Sequence, residues 1–185
     1  MKFYFKGNRN YIHSSDIITF LEKKFPKIKN LKIFFRSKLS SQPIFRLSEE
    51  KNQGRDNFNG EFYLEDKIYY FSFSNTLNKD IKNYPYDEES IFQKVKFNQD
   101  NYVEFFEESK YSNIDILISM AKYLSIQKFK SKSWSVVKIN LKQAINHLQY
   151  KHKEIKIAFV KNKLIKYDVI CDKKNLGEIY FYNLK

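Results

Sequence analysis

The sequence predicts an α+β fold with two similar halves in tandem, each with one strand, one helix and a small antiparallel sheet. Two segments, 17–25 and 117–124, carry apolar residues at the three- and four-residue spacing of amphipathic helices. Much of the remaining chain alternates aromatic or β-branched residues with polar ones, which is typical of strands. With only 4 glycines and 3 prolines in 185 residues, few positions interrupt these elements.

The helix of the first half has recognisable boundaries. Ser14 or Ser15 offers an N-cap, and Asp16 lies in the first turn, where the helix dipole favours an anion. Pro26 ends the helix. The stretch 48–60 is polar and predicts a loop. The strands predicted in this half are 2–6, 31–35, 44–47 and a hairpin of 62–64 with 68–73.

The second half follows a connector over 77–89, which contains Pro85 and three acidic residues. Ser112 and Asp115 match a capping box, with serine at the N-cap and an acid three positions later. Residues 141–148 suggest a short third helix. The strands predicted in this half are 92–97, 134–141, 155–160, 164–170 and 179–182.

Three pairs of segments support an internal duplication. Residues 37–47 align with 131–141 and residues 62–74 with 158–170, and a shorter match relates Asn10–Ile12 to Asn101–Val103, at offsets of 91 to 96 residues. We therefore predict a first half over 1–76 and a second over 90–185, joined by the connector in one compact domain.

The net charge of +13 admits two interpretations. A basic chain suits an acidic partner such as nucleic acid, an anionic membrane or an acidic protein. Abundant Lys, Asn, Ile, Phe and Tyr also reflect compositional bias, and only four arginines are present for base-specific contacts. Because alternating aromatics and lysines in 63–73 and 180–185 suit either base stacking or a half-buried strand, a basic nucleic-acid-binding module stays an alternative.

The single cysteine, Cys171, excludes an intramolecular disulfide and a thiolate metal cage. It lies in an apolar run and is expected to be buried, which fits a cytoplasmic location. The first ten residues lack the apolar core of a signal peptide. No run approaches the roughly 20 apolar residues that span a bilayer, so we expect no membrane insertion.

The segment Phe5–Glu22 resembles the start of the central helix in the β-hydroxyacyl carrier-protein dehydratases, a hotdog-fold family. An aromatic residue, Gly7, an apolar run and Glu22 fall in register with that family. Asn8 stands where the family has its catalytic histidine, and the family's Pro-Gly turn is absent. The resemblance implies a hotdog fold, in which an antiparallel sheet wraps a central helix, and two such halves imply a tandem double hotdog.

This resemblance implies a protein that binds acyl thioesters of acyl carrier protein or coenzyme A, and that hydrolyses or dehydrates them. His13 and Asp16 at the first helix, and Asp115 at the second, are the candidate catalytic residues. A tunnel between the central helices would hold the acyl chain. The candidate substrate-binding residues are Asn8, Arg9, Tyr11, Ile17, Phe20, Leu21, Leu117 and Met120.

Each candidate also has a structural interpretation. His13 and Asp16 fit a capped helix terminus, Asp115 fits a capping-box acid, and Glu22 fits either the dehydratase acid or a solvated charge. A non-catalytic binding or assembly protein derived from the hotdog fold, which Asn8 favours, is therefore a second hypothesis. A homodimer is compatible with either.

No metal or other cofactor is expected from the sequence. His147 and His152 are five residues apart, whereas two zinc ligands on one helix face are four apart, and no third ligand is evident. The sequence contains no G-x-S-x-G, Walker or G-x-G-x-x-G motif, so serine hydrolysis and nucleotide hydrolysis lack their usual signatures.

Overall fold

The computed structural model describes residues 2–51, 56–98, 101–131 and 133–184. The predicted polar loop over 48–60 therefore lies partly outside the described residues. The first half contains β1 (Phe5–Lys6), α1 (Ser14–Lys24), β2 (Lys29–Phe35), β3 (Ile44–Ser48), β4 (Phe58–Leu64) and β5 (Lys67–Ser74). The rest contains β6 (Asn83–Tyr84), α2 (Glu89–Phe92), β7 (Lys96–Asn98), β8 (Tyr102–Phe105), α3 (Asn113–Phe129), β9 (Trp134–Gln143), β10 (Lys153–Lys161), β11 (Leu164–Cys171) and β12 (Lys174–Asn183).

One ten-stranded antiparallel sheet unites the two halves. Its strand order is β3-β5-β4-β2-β9-β12-β11-β10-β8-β7. Strands β2 and β9, the fourth and fifth in this order, pair with each other, and each is the strand that follows a long helix. Strand β1 pairs in parallel with β6 from the connector, outside the main sheet. The sheet is thus continuous across the middle of the chain.

Helices α1 and α3 pack against each other, and α3 also contacts strands β8, β9 and β10. Helix α3 is buried at every position from Ile114 to Ala121, so its first two turns are enclosed on all sides. A helix enclosed on all sides needs apolar residues all round rather than one stripe, which explains its apolar composition. No helix within the described ranges has both the length and the apolarity needed to cross a bilayer.

Local signals account for the elements that the sequence predicted correctly. Ser112 caps α3, and its Oγ accepts a hydrogen bond from the Asp115 amide at 3.2 Å, as the capping box requires. Helix α1 begins at Ser14, and its N-cap is His13 rather than Ser14 or Ser15. The β4–β5 hairpin turns at Glu65 and Asp66, whose φ values of 49° and 65° match a type I′ turn.

Two predicted elements are wrong. Residues 141–148 do not form a helix, because β9 continues to Gln143 and the buried carboxylate of Glu22 then accepts the amides of Ile145 and Asn146, at 2.8 and 3.0 Å. The predicted strand 92–97 is instead the end of α2 followed by β7. Strand β8 was not predicted.

The alignment of residues 37–47 with 131–141 is also wrong. Strand β3 lies at one edge of the sheet, whereas β9 lies at its centre beside β2. Topologically, β9 corresponds to β2, since both follow a long helix. The two halves also differ in the second strand that each of these strands contacts. In the first half, β2 lies beside β4, which is followed by β5, whereas in the second half β9 lies beside β12, the last strand of the chain.

Candidate functional site

The amino-terminal ends of α1 and α3 meet around a buried lysine on β1. Lys6 is 1% exposed. Its Nζ donates a hydrogen bond to Ser15 Oγ at 2.6 Å, pairs with Asp16 Oδ1 at 3.0 Å, and also pairs with Asp115 Oδ1. We call these four residues the Lys6 cluster. The ammonium compensates two carboxylates that would otherwise be buried without a countercharge.

Asp115 connects this cluster to the cap of α3. Its Oδ2 accepts a hydrogen bond from Ser112 Oγ at 2.8 Å, and its Oδ1 accepts one from Ser15 Oγ at 2.5 Å. Asp115 is buried, with 11% of its side chain exposed. Both oxygens are therefore held by protein donors.

Asp16 is the less well-satisfied carboxylate. Burial raises its pKa, and Lys6 opposes that rise. Tyr84 donates a long hydrogen bond, 3.5 Å, to Oδ1, and Oδ2 is buried without a hydrogen-bond partner among the described residues. Burial also raises the pKa of Tyr84 far above its usual value, so the phenol remains a donor.

His13 is joined to the cluster through Ser15. Its Nδ1 lies 2.8 Å from Ser15 Oγ. Burial lowers the pKa of His13 well below 6.5, and the charges of Lys6, Arg9 and Lys122 lower it further, so the imidazole is neutral near pH 7. The single hydroxyl proton of Ser15 goes to Asp115, so Nδ1 of His13 carries the proton and donates to Ser15. Nε2 then carries the free lone pair.

His13 borders a cavity of about 280 Å³. The cavity lies between the start of α1, the middle of α3, the end of β2 and the start of β9. Much of its wall is apolar: Ile12, Phe35, Phe58, Ile118, Trp134, Val136 and Phe181. Four cations also border it: Arg9, Arg36, Lys38 and Lys122.

The charges around the cavity are only partly balanced. Glu88 pairs with Arg9 at 3.1 Å and with Lys122 at 2.5 Å. Arg36 and Lys38 lie in the segment after β2, and Lys38 Nζ lies 4.8 Å from the centre of the Tyr11 ring. With four cations against one carboxylate and a neutral histidine, the cavity favours an anionic ligand.

Trp134 provides a further polar group. It is 9% exposed and borders the cavity. Its Nε1 is buried and has no hydrogen-bond partner in the part of the chain that the structure describes. A buried donor without an acceptor is costly in protein interiors.

The structure separates the sequence-predicted residues into four groups. Arg9, Tyr11 and His13 border the cavity, whereas Asp16 and Asp115 lie behind His13 in the Lys6 cluster. Asn8 is exposed. The remaining predicted residues lie in the core or pack against it, away from the cavity: Ile17, Phe20, Leu21, Leu117 and Met120.

In place of the helix-lined tunnel expected from the sequence, the described residues form a cavity between the start of α1 and the middle of α3. Glu22 is neither the dehydratase acid nor a solvated charge, because its buried carboxylate holds the chain after β9. Burial raises the pKa of Glu22.

Sequence reasoning missed Lys6, Ser15, Arg36 and Trp134. Alternation along 2–6 places Lys6 with Lys2 and Tyr4 on the polar side, so no local signal marked it as buried.

Comparisons with known proteins support the fold. No protein-family model matches the sequence, and no curated protein is similar to it in sequence. Among solved structures, the tesB protein of Mycobacterium avium subspecies paratuberculosis has a TM-score of 0.50 at 10% identity, covering 98% of this chain and 91% of that one. The dehydratase domain of MlnD from Bacillus amyloliquefaciens has a TM-score of 0.47 at 8% identity, covering 96% and 85%. An erythromycin dehydratase has a TM-score of 0.48 at 9% identity, covering 95% and 82%.

The similarity to the mycobacterial protein shows the fold alone. The chain has a hotdog-like fold, with helices packed against a large antiparallel sheet. The prediction of a hotdog fold from the segment Phe5–Glu22 is thereby confirmed.

Proposed function

We propose that this protein binds acyl thioesters in the cavity beside His13 and hydrolyses them. The observation that carries the proposal is the combination of an apolar wall, unbalanced cations and a neutral histidine at one cavity. The hotdog-like fold agrees with the acyl-thioester binding that the resemblance of Phe5–Glu22 implies.

The cavity suits both parts of an acyl thioester. The apolar wall would hold the acyl chain, and each buried methylene contributes about 0.8 kcal/mol at most. Arg36 and Lys38 would face the phosphate of a phosphopantetheine arm, whether it belongs to coenzyme A or to acyl carrier protein. The net positive charge would also accelerate encounter with an acidic carrier protein.

His13 would act as the general base. Nε2 takes a proton from water, and the water oxygen forms a bond to the thioester carbonyl carbon. The C–S bond of the tetrahedral intermediate then breaks, and the thiolate takes the proton back from His13. Ser15 would hold Nδ1 and thereby fix the imidazole tautomer. Asp115 and Lys6 would act as positioning residues, because they contact Ser15 rather than the cavity.

Hydrolysis fits this site better than dehydration does. Dehydration of a 3-hydroxyacyl thioester needs a base for the α-proton and an acid for the departing hydroxyl. Asp115 is not among the residues that border the cavity, and Asn8 replaces the dehydratase histidine. Glu88, the carboxylate that does border the cavity in the described ranges, is held by Arg9 and Lys122.

Thiol release from acyl-coenzyme A substrates of increasing chain length tests this proposal. We expect the rate to increase with chain length until the cavity is full. His13→Ala should lower kcat by about 10²- to 10⁴-fold, the usual contribution of a general base. His147→Ala is the matched control, because His147 is exposed and lies outside the cavity. Because the pKa of His13 is lowered, kcat should stay constant as the pH falls to 6.5 and decline only below it.

Equal activity of His13→Ala and His147→Ala would show that His13 is not the base. Thioester binding without any thiol release would instead favour the second candidate function, a non-catalytic acyl-thioester-binding protein. That alternative is supported by Lys6, which neutralises both carboxylates in the manner of a structural ion network. Tight oligonucleotide binding with no response to acyl-chain length would favour the nucleic-acid alternative.

We further propose that the fold is a tandem double hotdog, with the boundaries predicted from the sequence. The pairing of β2 with β9, each after a long helix, supports this arrangement. The test is an experimentally determined structure in which α1 and β2 are superposed on α3 and β9. If this superposition leaves the two sheet halves unmatched, the duplication is wrong.

A further inference from the structure

Two glutamates face each other near the edge of the sheet that ends in β7. Glu104 on β8 is directly opposite Glu154 on β10. Their neighbours Val103 and Ile155 are fully buried, so the glutamates point to the opposite face, away from the core. Like charges directly opposite on neighbouring strands are unfavourable unless a cation lies between them.

A histidine completes this group. His152 lies just before β10, and its Nε2 is 2.9 Å from Glu104 Oε1. One donor atom from each of His152, Glu104 and Glu154 lies within 4.8 Å of the other two. The imidazole orientation is fixed by stacking on Phe106, with ring centres 4.5 Å apart and an interplanar angle of 12°.

We propose that Glu104, His152 and Glu154 form a binding site for a divalent transition-metal cation, Zn²⁺ above all. One imidazole and two carboxylates suit zinc, which binds such ligands at about 2.0–2.2 Å and takes water as its fourth ligand. Donors around one tetrahedral zinc ion lie about 3.4 Å apart at these bond lengths. Small rotations of the two glutamate side chains bring the donor atoms from their present separations to that distance.

The surroundings support a metal site rather than a simple ion pair. Asn98 Nδ2 donates a hydrogen bond to Glu104 Oε2 at 2.6 Å, which holds the carboxylate in place as outer-shell partners of metal ligands do. Lys96 is opposite Glu104 on β7, but its Nζ lies over the Phe106 ring, 5.1 Å from the ring centre. The side chain of Glu154 makes no hydrogen bond or ion pair within the described part of the chain.

This site revises the expectation that no metal is bound. From the sequence, His152 was considered as a zinc ligand only together with His147, because the two are close in the chain. Strand pairing instead brings His152 close to a glutamate of β8 and a glutamate of β10. None of the three ligands borders the cavity beside His13. The metal would connect β10 to β8, which lies next to the edge strand β7. It would thus stabilise this edge of the sheet, and this effect does not depend on any acyl-thioester chemistry.

Zinc titration of the untagged, metal-free protein by isothermal calorimetry tests the proposal. We expect one zinc ion per chain, an increase in Tm with zinc, and no such response to Mg²⁺. His152→Ala should lower the affinity by at least about 100-fold and Asn98→Ala by about 10-fold, given the usual effect of outer-shell partners. Glu104→Gln and Glu154→Gln should each weaken binding as well.

His147→Ala and Glu108→Gln are the matched controls, because both residues are exposed and outside the cluster. Circular dichroism without metal confirms that each variant is folded. Equal zinc affinity of His152→Ala and His147→Ala would overturn the proposal, as would a Tm that does not respond to zinc in the unmodified chain.

Discussion

Replacement of Lys6 by methionine tests the role of the buried ion cluster most directly. Methionine fills the space of the lysine stem but provides no charge. Asp16 and Asp115 then lose their shared cation, and Ser15 loses a donor. Two carboxylates remain close together in a site that is largely closed to solvent. The variant should therefore be much less stable than the unmodified protein at neutral pH.

The burial of the three charged side chains determines how much unfolding free energy the Lys6→Met variant loses. Removing one partner of a buried pair costs about 3–5 kcal/mol. The side chains of Lys6 and Asp115 are 2% and 11% exposed, but that of Asp16 is 21% exposed and can recover some hydration. We therefore expect a loss near the lower end, about 3 kcal/mol. For a chain of this length, that loss corresponds to a decrease in Tm of about 6–12 °C.

The pH dependence of the loss identifies its cause. Burial already raises the pKa of Asp16 above 3.8, and Lys6 opposes this rise, so removal of Lys6 raises the pKa further. A carboxylate with a raised pKa destabilises the fold above that pKa, and the penalty disappears as the pH falls towards 3.8. The difference in stability between Lys6→Met and the unmodified protein should therefore narrow as the pH is lowered from 7 to 4.

Urea unfolding at pH 7 and at pH 4.5 measures both quantities. Lys2→Met is the matched control, since Lys2 is exposed in the same segment and should change stability by less than about 0.5 kcal/mol. The double variant Lys6→Met/Asp16→Asn should be more stable than Lys6→Met alone. A loss below about 1 kcal/mol that does not change with pH would refute the assignment of Lys6 as the compensating charge.

Three further predictions concern stability and reactivity. Glu22→Ala leaves the amides of Ile145 and Asn146 without their acceptor, so it should cost about 3 kcal/mol in urea unfolding; an unchanged midpoint would contradict this role. Gly177→Ala should cost at least about 3 kcal/mol, because φ is 151° and a Cβ would lie 2.1 Å from the Asn140 carbonyl oxygen; full stability would show that the β9–β12 pairing differs. Burial raises the pKa of the Cys171 thiol to about 12, so it should react with a disulfide reagent only after unfolding; rapid reaction of the folded protein would contradict that.

The helices could be predicted from the sequence because their signals are local. The capping box at Ser112 and the apolar spacing along 117–124 depend on residues within a few positions of one another. The terminal hairpins were predicted for the same reason. The false helix over 141–148 shows the limit of this reasoning, because the acceptor that fixes this segment comes from Glu22, more than a hundred residues earlier in the chain.

The order of the strands could not be predicted in this way. The alternation of apolar and polar residues indicates that a segment is a strand, but it does not indicate which strand lies beside it in the sheet. For that reason the match between 37–47 and 131–141 related an edge strand to a central one. The same limitation hid the group of Glu104, His152 and Glu154, whose members come together only when β8 pairs with β10.

Asp115 shows why a single substitution can mislead at this site. Asparagine also caps helices, so Asp115→Asn would separate catalysis from capping if Asp115 did nothing but cap α3. In the structure, Asp115 also accepts the Ser15 hydrogen bond and compensates Lys6. Asparagine would leave Lys6 with only Asp16, and it would alter the group that holds His13. Lost activity would then follow from a displaced His13 whether or not Asp115 touches the substrate. His13→Ala against His147→Ala avoids this difficulty, because His13 is the candidate catalytic residue that borders the cavity.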